Sequence, residues 1–99
     1  MRMMLKVTIP VEAGNTTIKD GSLPKTIQAV TQSLKPEAAY FLAEDGLRTA
    51  MFFFDMKDAS QIPAIVEPLF MGMNAAVTLT PVMNQADLEK GLKQAVKAF

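Results

Sequence analysis

The segment that decides the fold is Leu47-Arg-Thr-Ala-Met-Phe-Phe-Phe-Asp-Met56, which is apolar at most positions. Side chains alternate between the two faces of a strand, so Met51 and Phe53 would point to one face and Phe52 and Phe54 to the other. A strand that is apolar on both sides belongs in the middle of a sheet, with a layer packed over each face. The rest of the chain must therefore provide two layers of cover.

Three more segments have the alternating pattern of strands, namely Arg2–Pro10, Ala38–Glu44 and Ala75–Met83. The first and the last of these each have one clearly more apolar side, which we assign to the core. Their other sides carry Lys6 and several threonines. The chain therefore has four predicted strands, and the central one is the most apolar.

A hairpin is predicted between the second strand and the central one, because Asp45-Gly46 is a strong signal for a two-residue type I′ turn. A loop of that length places Tyr40 opposite Met51, so that both side chains share one face of the sheet. A three-residue loop would instead exchange Tyr40 and Phe41.

The first predicted helix follows a polar connection over Val11–Gly21, which has room for a short helical turn. Ser22 is a plausible N-cap, and Pro24 falls in the first turn, where its missing N–H costs nothing. Apolar residues then recur at helical spacing until Pro36 ends the helix.

Two further helices are predicted in the second half of the chain. One begins near Asp58 or Ser60 and ends at Gly72, with a kink or a short first turn caused by its prolines. The last begins after Asn84, with Asp87 in a capping-box position.

The order of these elements predicts one α+β domain over residues 1–99, a ferredoxin-like βαββαβ sheet followed by a C-terminal helix. Two right-handed strand–helix–strand crossovers place both internal helices on the same face of one antiparallel sheet. One face of the sheet is then covered, and the other is open.

The open face carries four apolar side chains at its centre, Tyr40, Leu42, Met51 and Phe53, inside a polar ring of Lys6, Thr8, Asp55, Thr78 and Thr80. Burying each apolar side chain is worth ~1.5–3 kcal/mol, so we expect this face to be covered. Either the last helix folds over it, or a second chain does. We favour a homodimer with the two open faces together, since self-complementary pairing is the common solution for a small domain.

Composition excludes several functional classes. Ten basic and ten acidic residues cancel, so no net field attracts nucleic acid or an anionic membrane. The chain has no cysteine and no histidine, which removes thiolate nucleophiles, imidazole bases and the usual zinc and haem ligands, and we expect no metal or cofactor. With no signal-peptide pattern and no apolar run of the ~20 residues a bilayer requires, we expect a cytoplasmic protein of bacterial type.

Four segments, Ile9–Asn15, Asp20–Pro24, Leu34–Phe41 and Pro81–Met83, resemble a small bacterial family of unassigned function within the dimeric α+β barrel superfamily. The resemblance covers nearly the whole chain and implies that two ferredoxin-like sheets pair as one barrel. Superfamily members include cofactor-free monooxygenases, haem-degrading enzymes and muconolactone-type isomerases. The absence of histidine and tryptophan here separates this chain from the haem-binding and monooxygenase sites.

The candidate acid–base residues are Lys6, Tyr40 and Asp55. A lysine or tyrosine that faces a partly apolar cavity can donate a proton or polarise a carbonyl, and a carboxylate there can act as a base. The alternative interpretation is an ion pair between Lys6 and Asp55 at the rim of the sheet, with Tyr40 filling a dimer core. A second candidate set, in the first connection, is Glu12, Asn15, Lys19 and Asp20, which would form either a ligand rim or ordinary turn contacts.

The sequence thus favours a homodimeric small-molecule-binding or structural domain. Its ligand-lining residues would be Tyr40, Met51, Phe53, Thr78 and Thr80. The alternative is a cofactor-independent isomerase or monooxygenase acting on a small organic substrate, with Tyr40 or Asp55 as its acid–base group. A third possibility is a structural subunit of a larger assembly.

Overall fold

A four-stranded antiparallel sheet forms the centre of the molecule, which is described by a computed structural model of residues 1–99. The strands are β1 (Arg2–Ile9), β2 (Ala38–Glu44), β3 (Leu47–Asp55) and β4 (Ala76–Pro81). The helices are α1 (Val11–Lys19), α2 (Ser22–Leu34), α3 (Ile62–Met73) and α4 (Gln85–Ala95). Short 3-10 turns cover Ala59–Gln61 and Val96–Ala98.

The strand order β2-β3-β1-β4 confirms the ferredoxin-like arrangement and places β1 and β3 at its centre. The hairpin register is also confirmed, with Tyr40 opposite Met51 and Glu44 opposite Leu47. Asp45 and Gly46 both have positive φ angles, 54° and 77°, as a type I′ turn requires.

The core lies between the sheet and the internal helices, as the alternation predicted. Phe52 and Phe54 of β3 are buried, at 0% and 3% exposure, and they pack with Leu5 of β1 and Leu69 of α3 in one cluster. Val77 and Leu79 of β4 pack against this cluster as well, so their assignment to the helix side is confirmed.

The first connection is the largest departure from the predicted secondary structure. Residues 11–19 form α1, a full helix that starts directly after Pro10, where we predicted a polar connection with at most a short turn. Gly14 and Thr17 face inward and are buried, and the Thr17 hydroxyl donates to the carbonyl oxygen of Ala13 at 2.8 Å. Tertiary contacts therefore stabilise a helix that its weak helix formers would not favour alone.

Several predicted element ends shift by one or two residues. Ser22 is the first residue of α2 and not its N-cap, which is Gly21 at φ 80°. α3 runs past Gly72 to Met73, and its C-cap residue Asn74 adopts a left-handed conformation at φ 51°. β4 is shorter than predicted, because it covers only Ala76–Pro81.

The start of α3 agrees with the prediction of a short first turn. Asp58 caps the 3-10 turn Ala59–Gln61 through a capping box with Gln61. Pro63 then lies in the first turn of α3, where a missing N–H is tolerated, and Pro68 lies inside the helix.

The C-terminal helix projects away from the rest of the molecule. Its capping box between Asn84 and Asp87 is formed as predicted, yet every residue from Met83 to Phe99 is exposed. The Cα radius of gyration is 15.9 Å, against roughly 13 Å for a compact domain of this length, and the longest dimension is 55 Å. α4 therefore does not cover the open face of the sheet.

Candidate functional site

The open face of the sheet brings the predicted ligand-lining residues together. The strand register sets three rows across it, each written from β4 to β2: Thr80, Met4, Phe53 and Ala38; then Thr78, Lys6, Met51 and Tyr40; then Ala76, Thr8, Thr49 and Leu42. All five predicted lining residues, and Lys6 among the acid–base candidates, thus lie on one surface. We call this surface the open face.

The apolar part of the open face is concentrated towards β2. Tyr40 is 63% exposed and Leu42 is 39% exposed, whereas Met51 and Phe53 on β3 are partly buried between their neighbours. The side towards β4 is polar, because Thr78 and Thr80 project there next to Lys6. The face therefore combines an apolar half with a row of hydroxyl groups.

Lys6 is paired on this face, but its partner is Glu44 and not Asp55 as the alternative interpretation proposed. The Lys6 ammonium donates to Glu44 Oε1, so the pair crosses β3 beside Thr49. Thr49 is only 4% exposed, and its hydroxyl donates to the Leu47 carbonyl oxygen at 3.1 Å. Lys6 and Glu44 thus close the hairpin end of the open face.

Asp55 lies at the opposite end of β3, away from Tyr40 and Lys6. Its carboxylate accepts a hydrogen bond from the Met1 amino group at 2.6 Å and lies 3.6 Å from Lys57 Nζ. The hydrogen bond from Met1, followed by the charges of Met1 and Lys57, lowers the pKa of Asp55. A carboxylate with a lowered pKa is a weaker proton acceptor, so this environment does not favour Asp55 as a general base.

The second candidate set forms helix contacts in this structure. Asn15 accepts a hydrogen bond from Arg48 at 3.1 Å, and Glu12 and Lys19 lie exposed on α1. Asp20 accepts from the backbone N–H of Ser22 at 2.8 Å at the start of α2. Asn15 thus connects α1 to β3, and Asp20 makes a local contact at the start of α2.

A charged cleft at the end of the strands was not predicted from the sequence. Its volume is about 680 Å³, and Arg2 is one of the residues that line it. The Arg2 guanidinium contacts Glu37 at 2.7 Å and Asp87 at 3.3 Å, and its pKa is raised by the hydrogen bond and charge of Glu37 first and by the other carboxylates after it. No local sequence pattern indicates this cluster, because its members are far apart in the chain. Arg2 pairs with both Glu37 and Asp87, so these three residues join the sheet to the start of α4.

An apolar groove separates α2 and α3 on the helix side of the sheet. It has a volume of about 300 Å³ and is lined by Val30, Leu34 and Ile65 together with small and polar residues. No metal-ligand cluster of acidic side chains is present in the structure.

Comparison with known proteins does not place the chain in a family: no family model, curated protein or solved structure matches it. None of the helices combines the length and the hydrophobicity that a bilayer crossing demands. The open face is therefore the feature of the molecule from which a function can be inferred.

Proposed function

We propose that the protein works as a homodimer in which two open faces pack together and enclose a site for a small organic molecule. The observation that carries this proposal is the uncovered apolar half of the open face, where Tyr40 and Leu42 remain exposed in a fold whose own α4 points away. Exposed apolar patches of this kind mark interaction sites in soluble proteins.

The chemistry of the open face supports a binding role. Met51 and Phe53 provide an apolar floor, and a methionine side chain adapts its shape to different ligands. Thr78 and Thr80 add hydroxyl groups that both donate and accept hydrogen bonds. A few polar groups beside an apolar wall are typical of small-molecule sites.

The resemblance to the dimeric α+β barrel superfamily points in the same direction, because its members pair through this face of the sheet. On this proposal the protein is a cytoplasmic bacterial homodimer. For the cofactor-independent enzyme alternative, the geometry does not favour Lys6 or Asp55 as the acid–base group, since Lys6 is paired with Glu44 and the pKa of Asp55 is lowered, which leaves Tyr40 as the candidate on the open face.

The dimer can be tested by sedimentation equilibrium with a matched pair of substitutions. Met51→Arg places a charge at the centre of the open face and should yield a monomer. Met71→Arg makes the same change on α3, where the side chain is 79% exposed and off the open face, and should leave the dimer intact. A wild-type chain that sediments as a monomer at micromolar concentration would exclude the proposal.

Ligand binding can be followed through Tyr40, which is the only tyrosine in a chain without tryptophan. Its emission should change on dilution through the dimer dissociation and again on titration with a small apolar acid or ketone. The Thr78→Val variant keeps the shape of the side chain but removes its hydroxyl, and should weaken the second change only. An unchanged emission across a library of such compounds would argue for a structural dimer instead.

A further inference from the structure

β2 is an edge strand whose outer side has no hydrogen-bond partner in the chain. The strand order β2-β3-β1-β4 leaves one side of β2 free. In a two-residue type I′ hairpin the residues that flank the turn, here Glu44 and Leu47, bond to each other. Backbone groups then alternate in direction along the strand, so the N–H and C=O groups of Ala39, Phe41 and Ala43 point outward. None of these groups bonds to another part of the chain.

The side chains along this edge are apolar and exposed on both faces of the sheet. Tyr40 on the open face is 63% exposed, and Phe41 on the helix side is 60% exposed. The Phe41 ring meets the buried Phe52 ring edge-on, with the ring centroids 6.0 Å apart. Packing of two open faces would cover Tyr40, but Phe41 points away from that face. The proposed pairing of open faces thus leaves the edge itself and Phe41 in solvent.

β2 also lacks the features that protect the edges of sheets. Proteins usually block an exposed edge strand with a proline, a lysine or a bulge in its middle. The segment Ala38–Glu44 contains no proline and no lysine, and its one charged residue is Glu44. The opposite edge strand, β4, is protected, because it ends in Pro81 and its apolar side chains pack against the core. β2 is therefore the edge that remains open to another strand.

We propose that β2 pairs with β2 of a second copy of this chain, antiparallel and centred on Phe41. The contact would join two four-stranded sheets into one sheet of eight strands about a twofold axis. A contact of this isologous kind closes at two chains. It is independent of the packing of two open faces, because it uses the edge of the sheet.

The sequence of β2 is self-complementary in this register. The segment Ala39-Tyr40-Phe41-Leu42-Ala43 has a similar order of side-chain sizes in both directions. Each alanine faces the other alanine of the partner strand, each Tyr40 faces a Leu42, and the two Phe41 residues meet at the axis. All three outward-facing residues then form hydrogen-bonded pairs, and apolar and aromatic cross-strand pairs stabilise the contact. An unrelated extended peptide would also satisfy the backbone, but the match in side-chain size favours a copy of the same strand.

The charges at the ends of β2 are compatible with this pairing. The glutamates at the two ends already form ion pairs within their own chain. Asp45 forms no ion pair, and neither does Lys35, which precedes β2. Antiparallel pairing brings the Asp45 end of one β2 to the Lys35 end of the other. Two free charges of opposite sign therefore lie at each end of the contact.

The edge contact should be weaker than the pairing of open faces. It joins two strands of seven residues, and small contacts belong to the transient class of protein interfaces. We therefore expect it to form above the micromolar concentrations at which the open faces pair. It should remain when Met51→Arg has removed the pairing of faces, so the Met51→Arg chain is the background in which the edge contact is measured alone.

Cysteine cross-linking in the Met51→Arg background tests the register, because the natural chain has no cysteine. An Ala39→Cys chain is mixed with a mass-tagged Ala43→Cys chain at about 1 mM and oxidised. Hydrogen-bonded pairs have Cα atoms about 5.5 Å apart, which a disulfide can span, so we expect a disulfide between the two different chains.

The control for the register is the Ala39→Cys chain alone. Its two cysteines would lie about 13 Å apart along the paired strands, so it should give less than about a tenth of the product of the mixture. Equal yields in the mixture and in the control, or no disulfide in either, would overturn the proposed pairing.

A matched pair of substitutions at Ala43 tests the role of the outward N–H groups. Ala43→Pro removes one such donor without breaking a bond to β3, since proline is tolerated on an edge strand where the N–H faces solvent. In the Met51→Arg background it should raise the dissociation constant about tenfold or more in sedimentation equilibrium. Ala43→Thr keeps the N–H and favours a strand, so its dissociation constant should stay within about threefold. Equal dissociation constants for the two variants would exclude the contact.

The edge contact and the pairing of open faces can fail separately. If the natural chain is a dimer at micromolar concentration and Met51→Arg stays monomeric up to about 1 mM, the paired faces stand and the edge contact is excluded. If Ala43→Pro dissociates the micromolar dimer and Met51→Arg does not, the edge contact stands and the paired faces are excluded.

Discussion

Lys6 and Glu44 form an ion pair that crosses the central strand at the hairpin end of the open face. Their side chains are 27% and 39% exposed in the single chain, so water screens the pair in part. A double-mutant cycle with Lys6→Met and Glu44→Gln should give a coupling of ~0.2–1 kcal/mol in dilute, monomeric protein.

The same cycle at dimer concentrations provides a second measurement. If a partner subunit covers the pair, removing Lys6 alone leaves a buried carboxylate, and single substitutions in such pairs cost ~3–5 kcal/mol. We therefore expect the Lys6→Met penalty, measured by urea unfolding, to grow with protein concentration. A penalty that is independent of concentration would show that the pair stays in solvent.

Adjacent phenylalanines on β3 should differ sharply in their contribution to stability. Phe52 is fully buried between the sheet and the helices, so Phe52→Ala should cost ~3–5 kcal/mol in urea unfolding. Phe53 points to the open face and keeps part of its surface in water, so Phe53→Ala should cost markedly less in monomeric protein. Equal losses at the two positions would contradict the assignment of faces.

The geometry of the hairpin turn predicts that Gly46→Ala is less stable than Asp45→Gly. Gly46 has φ 77°, which a side chain makes unfavourable, and its Cβ position is otherwise open. Gly46→Ala should therefore destabilise the fold through backbone strain alone, by about 1 kcal/mol. Asp45→Gly keeps the same turn accessible and is the matched control, with an expected change close to zero. Thermal unfolding by circular dichroism would measure both.

The sheet could be predicted from the sequence because the patterns that specify its strands and turn are local. Alternation along β3 assigned Phe52 and Phe54 to the core, and Asp45-Gly46 fixed the register that places Tyr40 opposite Met51. Both signals come from residues adjacent in the chain, so no long-range contact had to be known.

The sequence was insufficient where stability comes from distant residues. α1 contains Gly14 and Thr17, which are weak helix formers. Arg48 on β3 donates a hydrogen bond to Asn15 and so connects α1 to the sheet. The partner of Lys6 could not be read from the pattern either, because a long side chain reaches more than one carboxylate across a sheet.

Acid sensitivity should depend in part on the cap at Asp58. Hydrogen bonds from the Ser60 hydroxyl and backbone N–H lower the pKa of Asp58 in the folded chain. The pKa of Asp58 is lower in the folded chain than in the unfolded chain, where it is about 3.9. The cap therefore stabilises the folded state in full at a pH above the unfolded pKa, and this stabilisation is lost as the pH falls through the folded pKa. Asp58→Asn should therefore flatten the decline in melting temperature below pH ~5. Ser60→Ala removes the hydrogen bond that lowers the pKa of Asp58 most, so it should also flatten the decline in melting temperature. If the slope of melting temperature against pH is unchanged in both variants, the cap does not contribute to the acid sensitivity.

Gly14 and Arg48 should show a strong coupling, because the arginine packs over the glycine. A Cβ at position 14 would lie 2.5 Å from Arg48 Nη1 and 3.2 Å from Arg48 Cδ, so the Arg48 side chain would have to shift, which disturbs its hydrogen bond to Asn15. Replacing glycine by alanine in a helix otherwise gains ~0.8–1.0 kcal/mol.

We therefore expect Gly14→Ala to bring no stabilisation in the natural chain, since the lost contacts of Arg48 offset the gain in helix propensity. In the Arg48→Ala background the same substitution should stabilise α1 by nearly the full ~1 kcal/mol. Urea unfolding of the four chains in the cycle measures this difference. An equal effect of Gly14→Ala in both backgrounds would mean that Arg48 does not pack over α1, and the reason given for the helix at residues 11–19 would then fail.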